Sequence, residues 1–218
     1  MGENVLDTKN ALILAAGELF AKQGFDGVST RMIAEKAKVN LGAIHYHFGS
    51  KEKLYVETFS TIAAEGKNFC LSEILETSPE LLKTPSGQAE IIREVVFQFF
   101  RDLFEFSRRD WKKRLIIQEL LHPSPIMPTL VGKILKPDNE ELADFFLVLS
   151  PAKTRSEAYA WADMLYAQGF FYLMAREPLA VLRGAENMGE DFLRTVAATT
   201  ARSMILLAGL PLPANLAF

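Results

Sequence analysis

The sequence predicts an all-α protein, with a three-helix helix-turn-helix domain at the N-terminus and a larger C-terminal helical bundle. Two observations carry this. The stretch from Ser29 to Tyr55 reads as two short helices joined by a tight turn and followed by a third helix start. From Gln88 onward only helical patterns appear, without the sustained alternation that strands require.

In chain order, Leu12, Ala15, Ala16, Leu19 and Phe20 recur at helical spacing between Asp7, a candidate cap, and Gly24, a stop, so the first helix supplies the core of the small domain. Ser29 precedes the apolar pair Ile33 and Ala34 and has the hydroxyl that an N-cap needs; the helix it opens runs to about Ala37. Lys38, Val39 and Asn40 form the turn. The next helix spans Leu41 to Phe48, where Ile44 and Phe48, four apart, face inward and leave Gly42, Ala43, Tyr46 and His47 outside. Ser50 caps a fourth helix that begins at Lys51 and is expected to continue to about Glu76.

A polar interval from Thr77 to Gly87, with Pro79 and Pro85, is expected to be loop. Residues 89 to 107 form a helix apolar on most sides, with Ile92, Val95, Val96, Phe99, Leu103 and Phe106 on one stripe and Phe97, Phe100 and Phe104 on another, which suits the middle of a bundle. Asp110 to Leu121 is a further helix, ended by Pro123 and Pro125. Helical regions follow at 127 to 149, interrupted at Pro137, at 154 to 175 and at 188 to 208.

The exposed face of the 41–48 helix suits a major groove. Gly42 and Ala43 let the backbone approach base edges, while His45, Tyr46 and His47 can donate to phosphates. Lys51 sits in the first turn of the next helix, where its cation and the free backbone N–H groups both favour an anion such as phosphate.

Residues 8 to 55 resemble the DNA-binding domain of the TetR family of bacterial transcriptional regulators, through the IA pair at Ile33 and Ala34, the YHF run at Tyr46, His47 and Phe48, and the SKE run at Ser50, Lys51 and Glu52. Two positions depart from the pattern. Lys38 stands where a glycine usually closes the second helix, at a strain of roughly 1 kcal/mol for a left-handed non-glycine residue. His45 stands where a tyrosine is common, which changes a phosphate contact without removing a donor.

The resemblance implies residues 1–55 as a DNA-reading domain and 56–218 as a ligand-binding and dimerisation domain. Its partners would be a double-stranded DNA operator, a small-molecule effector and a second copy of the chain. The DNA-contacting set becomes Ser29, Thr30, Arg31, Asn40, Leu41, Gly42, Ala43, His45, Tyr46, His47 and Lys51. It further implies a repressor, released when ligand in the larger domain shifts the fourth helix and with it the spacing of two reading heads.

The last two helices would form the dimer interface. Ala158, Ala162, Gly169, Ala197, Thr200 and Ser203 are small enough for close helix approach, with Trp161, Phe170, Phe192 and Leu206 as anchors; burial of the same faces within one chain is the alternative. Polar and aromatic groups set among apolar helices are the effector candidates: Gln98, Phe100, Phe104, Trp111, Gln118, Glu119, His122, Tyr166, Gln168 and Tyr172. Together they suit a mainly apolar ligand with a few polar handles. The segment from Arg114 to Pro123, RLIIQELLHP, also resembles the start of the C-terminal domain in the CecR-like subgroup.

Composition agrees with these expectations. A chain of 218 residues that is 49% hydrophobic can build a substantial core. Its net charge of −3 is not that of a protein held to DNA by bulk electrostatics. Residues 1–54 hold seven Lys or Arg and six Asp or Glu, against 24 and 27 in the whole chain, so the small positive excess lies at the reading end.

One cysteine, Cys70, excludes an internal disulfide and suits the cytoplasm. The apolar tail from Ser203 to Phe218 is too short for a membrane span and is broken by Pro211 and Pro213. No cofactor or metal is expected. His45 and His47 lie about 200° apart on a helix and cannot chelate one ion together. Pairs such as Glu140 with Glu141 and Glu190 with Asp191 sit at solvated helix starts, and no phosphate-cradling loop occurs, so an enzyme is not expected. The competing class is a helical small-molecule or partner-binding protein that reads no specific operator.

Overall fold

A computed structural model describes residues 2–65, 71–107 and 110–214, with side chains over 7–64, 71–103 and 111–214. Cys70 and the Phe104 side chain, both singled out above, lie outside the described residues. Among the described residues every regular element is helical. The helices are α1 (Gly2–Gln23), α2 (Thr30–Ala37), α3 (Gly42–His47), α4 (Lys51–Glu65), α5 (Leu71–Thr77), α6 (Pro85–Ser107), α7 (Asp110–Leu121), α8 (Met127–Leu130), α9 (Lys136–Leu149), α10 (Arg155–Met174), α11 (Arg176–Arg183) and α12 (Glu190–Leu207). No described helix is long and apolar enough to cross a membrane.

The chain forms two compact units, residues 1–65 with 106–135 and residues 66–105 with 136–218. The first unit is therefore discontinuous in sequence, a grouping that a single cut after residue 55 does not describe. Its core gathers Leu12, Ala16 and Phe20 of α1, Ile33 and Ala34 of α2, Ile44 and Phe48 of α3, Leu54, Tyr55 and Phe59 of α4, and Leu115 of α7. Packing of α7 on α1 depends on Gly17, because a Cβ there would lie 2.1 Å from the Trp111 ring. Ion pairs from Lys9 to Glu57 at 2.6 Å and from Lys36 to Glu18 at 2.8 Å tie α1 to α4 and α2.

The second unit is a bundle of α6, α9, α10 and α12 around Ile91, Ile92, Val96, Phe100, Leu142, Phe146, Trp161, Leu165, Ala201 and Met204. The Trp161 indole stacks on Phe146 with centroids 5.0 Å apart and donates from Nε1 to the Met204 carbonyl at 2.9 Å, so its polar edge is satisfied inside the core. Arg155 at the start of α10 reaches Glu140 and Asp144 of α9. Thr154 and Glu157 form a full capping box there, with Glu157 accepting from the Thr154 N–H at 2.8 Å.

Several boundaries differ from expectation, each for a local reason. α1 begins at Gly2, so Asp7 is an exposed residue within the helix and not its cap; nothing from Glu3 to Thr8 breaks a helix. Pro85, expected in a loop, opens α6, since proline at a first helical position gives up an N–H that has no helical partner. A 3₁₀ turn, Pro79–Lys83, occupies the rest of that interval.

Residues 66–70, within the expected long fourth helix, lie outside the described residues. The break in the 127–149 region is a π-helical turn, Val131–Leu135, and Pro137 falls in the first turn of α9 where it is tolerated. α11 was not legible as a helix of its own. It buries only Leu179 and leaves Val181 and Leu182 exposed, so its apolar residues do not trace a buried stripe.

The small residues expected between two copies of the chain instead face its own interior. Ala158, Ala162, Gly169, Ala197 and Thr200 are buried in the single chain, as is Trp161. Gly169 is required by the Phe99 ring, which a Cβ there would approach to 2.5 Å.

Candidate nucleic-acid interface

The helix-turn-helix is built from three local devices. Ser29 caps α2 by accepting from the Met32 N–H at 3.2 Å. Lys38 closes α2 in the left-handed region, at φ 57° and ψ 39°, and the Val39 N–H then reaches back to the Ala34 carbonyl at 3.0 Å. Asn40 fixes the start of α3 by accepting from the Ala43 N–H on its Oδ1 at 3.0 Å. Two residues expected to contact DNA, Ser29 and Asn40, thus each have a side-chain oxygen engaged in holding the turn.

α3 separates cleanly into two faces. Ile44 is fully buried and Phe48 nearly so, which anchors the helix on the unit's core. Tyr46 is 79% exposed, Leu41 is exposed, and Gly42 and His45 stand out with them, while Ala43 and His47 are half-buried. Arg31 on α2 is exposed and, among the described residues, its one ion pair is with the also exposed Glu35, an interaction weak enough in water to yield to a phosphate. Thr30 is half-buried at the start of α2.

Two groups are oriented differently from what the sequence suggested. The Nδ1–H of His45 donates to the Gly49 carbonyl at 2.9 Å, since a carbonyl only accepts. The outward Nε2 of the neutral ring is then an acceptor, and His45 donates to a phosphate only as imidazolium. Lys51 turns inward: its ammonium donates to the carbonyls of Phe25 and Val28, both at 3.0 Å, and lies 4.0 Å from the centre of the Phe25 ring. Two of its three N–H bonds therefore hold the segment between α1 and α2.

Residues 12–58 match the family model of the bacterial regulatory proteins of the tetR family. Over those residues the chain is similar to the TetR family. It is similar to the transcriptional dual regulator CecR of Shigella flexneri, with 30% identity over 138 residues, which is 62% of this chain and 60% of the relative. It is also similar to the transcriptional repressor AcnR of Corynebacterium efficiens, with 33% identity over 125 residues, 57% of this chain and 56% of the relative. The chain thus spans less than two thirds of the length of either. CecR is the namesake of the subgroup that residues 114–123 resemble.

The fold as a whole is that of a transcriptional regulator from Rhodococcus sp. Rha1, at a TM-score of 0.63 and 18% identity over 94% of this chain and 99% of that one. A TetR-family regulator from Streptomyces coelicolor A3 shares it at a TM-score of 0.51 and 20% identity, over 94% and 96%. The named relatives are regulators of transcription.

The helix-turn-helix unit contains a buried polar link that the sequence did not disclose. Tyr55 of α4 is fully buried and its hydroxyl donates to Glu119 Oε2 of α7 at 2.6 Å. The other carboxylate oxygen accepts from the Ser124 N–H at 3.1 Å and from its hydroxyl at 2.9 Å. Both oxygens of a buried carboxylate are satisfied, and α4 is joined to the end of α7. Burial, and then the hydrogen bond to Glu119, hold the Tyr55 phenol well above its ordinary pKa. The only signals in sequence were Tyr55 and Glu119 themselves, 64 residues apart.

The ten effector candidates do not assemble in one unit. Trp111, Gln118, Glu119 and His122 belong to the first, where Trp111 packs over Gly17, Glu119 holds Tyr55, and His122 is exposed. Gln98, Phe100, Tyr166, Gln168 and Tyr172 belong to the second, together with Phe104.

Gln98 donates to Glu94 at 3.0 Å, Phe100 is core, Gln168 is exposed, and Tyr172 sits edge-on to Phe171 and Phe192. Tyr166 differs from these: its hydroxyl is buried and has no hydrogen-bond partner among the described residues. Its pKa is raised, first by burial and then by the charges of Asp138, Glu141 and Asp163. Among the described residues no cluster of His, Cys, Asp or Glu could hold a metal.

Proposed function

We propose that this chain is a homodimeric DNA-binding transcriptional regulator of the cytoplasm, a repressor released from its operator by a small, mainly apolar ligand. The observation that carries the reading is the division of α3, with Ile44 and Phe48 anchored in the core while Leu41, Gly42 and Tyr46 stand exposed on a helix short enough to enter a major groove. In this reading residues 1–55 hold the DNA-reading elements and residues 56–218 the sensing and dimerising ones. Tyr46, His47, Arg31 and Thr30 meet phosphates, and Leu41, Gly42 and Ala43 face bases, where an apolar side chain suits a thymine methyl. Ser29, Asn40, His45 and Lys51 position this surface through the hydrogen bonds described above.

Dimerisation is supported by what the bundle leaves uncovered. α10 exposes Ala160, Ala167, Phe171 and Met174 at helical spacing, and α12 exposes Thr195, Thr199 and Leu206. Small and apolar residues in two such stripes suit a second pair of the same helices, and a two-fold axis would match two operator half-sites. The Tyr166 hydroxyl, without a hydrogen-bond partner among the described residues, supplies a polar handle for an effector in the same unit.

A gel-shift titration on the DNA flanking the chain's own gene, at fixed salt with scrambled competitor and a panel of apolar and aromatic compounds, tests the proposal. Specific binding released by one compound class is the expected result. Specific binding that Tyr46→Ala leaves unchanged would remove the reading-helix assignment, and binding no tighter than to scrambled DNA, both here and in a genome-wide selection, would remove the function.

A further inference from the structure

The first unit has an open groove of about 520 Å³ beside the reading helix, within the size range of small-molecule sites. Phe48, Val56 and Ile126 supply apolar surface, and Lys53, Lys133 and Thr129 polar groups. The charges are unbalanced. Lys9, also on the groove, is held by Glu57 at 2.6 Å. Lys53 and Lys133 have no ion-pair partner among the described residues, and the groove's three lysines, Lys9, Lys53 and Lys133, face two carboxylates, Glu52 and Glu57.

A second feature meets the groove at the same place. Lys133 lies in the π-helical turn Val131–Leu135, a rare conformation that recurs at functional sites, and the turn's Val131 and Leu135 are exposed.

We propose that this groove binds a small organic anion, its carboxylate between Lys53 and Lys133 and its apolar body against Phe48, Val56 and Ile126. Two lysines from different elements, Lys53 of α4 and Lys133 of the π-helical turn, neutralise an anion that either alone would hold only as a solvated pair. The apolar wall favours an organic acid over a DNA phosphodiester, which has no apolar body to bury. Phe48 belongs to the inward face of the reading helix and Val56 to α4, so occupancy acts on the reading head itself. The site is separate from the effector candidates of the second unit, and it is detected without DNA.

The test is calorimetric titration of the full chain, free of DNA, with sodium decanoate, and with decylamine and decanol as matched cationic and neutral probes. Decanoate is expected to bind in preference to both. Lys133→Gln, an exposed substitution, should weaken decanoate binding about tenfold with the melting temperature unchanged. Thr129→Trp should block the groove and abolish binding; if that variant fails to fold, Lys133→Gln still decides.

Absence of decanoate binding, equal binding of decanol, or an affinity unchanged by Lys133→Gln would overturn the proposal. A loss of DNA affinity and of its salt dependence in Lys133→Gln, with no decanoate binding to the wild type, would also overturn it and make Lys133 a phosphate contact.

Discussion

Two buried tyrosine hydroxyls, one in each unit, are treated in opposite ways. Tyr55 in the first unit gives its proton to Glu119, whose remaining oxygen is taken by Ser124, so every polar atom of that link has a partner. The Tyr166 hydroxyl in the second unit is as fully removed from water and has no partner among the described residues. An unmade hydrogen bond in a buried site costs roughly 1–3 kcal/mol, so a fold retains one only where something else compensates. The contrast separates a buried polar link in the first unit that its own side chains close from a buried hydroxyl in the second that no described side chain satisfies.

The largest effect that would sharpen this contrast is expected from Ile44→Ala, which empties the anchor of the reading helix and should cost about 2–5 kcal/mol. The chain has two tryptophans, Trp111 in the first unit and Trp161 in the second. In a Trp161→Phe background, Trp111 emission should therefore report loss of the first unit in a urea titration.

Next in size is Tyr55→Phe, which strands one oxygen of the buried Glu119 carboxylate and should destabilise by about 1.5–3 kcal/mol. The same exchange at Tyr166 should change stability by no more than about 0.5 kcal/mol, since no hydrogen bond is lost. Equal costs at the two positions, measured by thermal unfolding, would break the comparison.

Lys51→Met keeps the aliphatic stem and removes the donors to Phe25 and Val28, for an expected loss of about 1 kcal/mol at this half-exposed site. An unchanged melting temperature with a reduced salt slope in DNA binding would return Lys51 to the phosphate-contacting set.

The smallest effect concerns pH. Both tyrosine pKa values are raised on folding, so the folded chain holds these protons more tightly than the unfolded chain. The resulting stability is fully present below the unfolded value of about 10 and is lost as pH rises above it. Tyr55→Phe and Tyr166→Phe should each flatten that alkaline slope. The sign is opposite for Glu157, whose carboxylate is held at about 2 by the Thr154 N–H, then Lys153 and the Thr154 hydroxyl. Its contribution is present above the ordinary carboxylate range and is lost as pH falls through about 2.

The reading head was legible because its determinants are local. Ser29, the pair Ile33 and Ala34, and the four-residue spacing of Ile44 and Phe48 act within one or two helical turns, where side-chain periodicity and capping decide the outcome. The left-handed end at Lys38 was legible through the resemblance instead, since a glycine usually closes the second helix at that position.

By itself, then, the sequence determined an all-α chain with a helix-turn-helix at one end, because caps, turns and helical periodicity are set by neighbours in the chain. What only the tertiary structure decided was where individual polar groups point and which distant residues meet. Nothing near Lys51 signals that its ammonium reaches Phe25 and Val28, 26 and 23 residues earlier, and nothing near Gly17 signals Trp111. The ten effector candidates were drawn from helices that resemble one another in sequence, and their division between two units followed from which helices pack together. Those pairings depend on the complementary shapes of surfaces far apart along the chain, which local spacing does not encode.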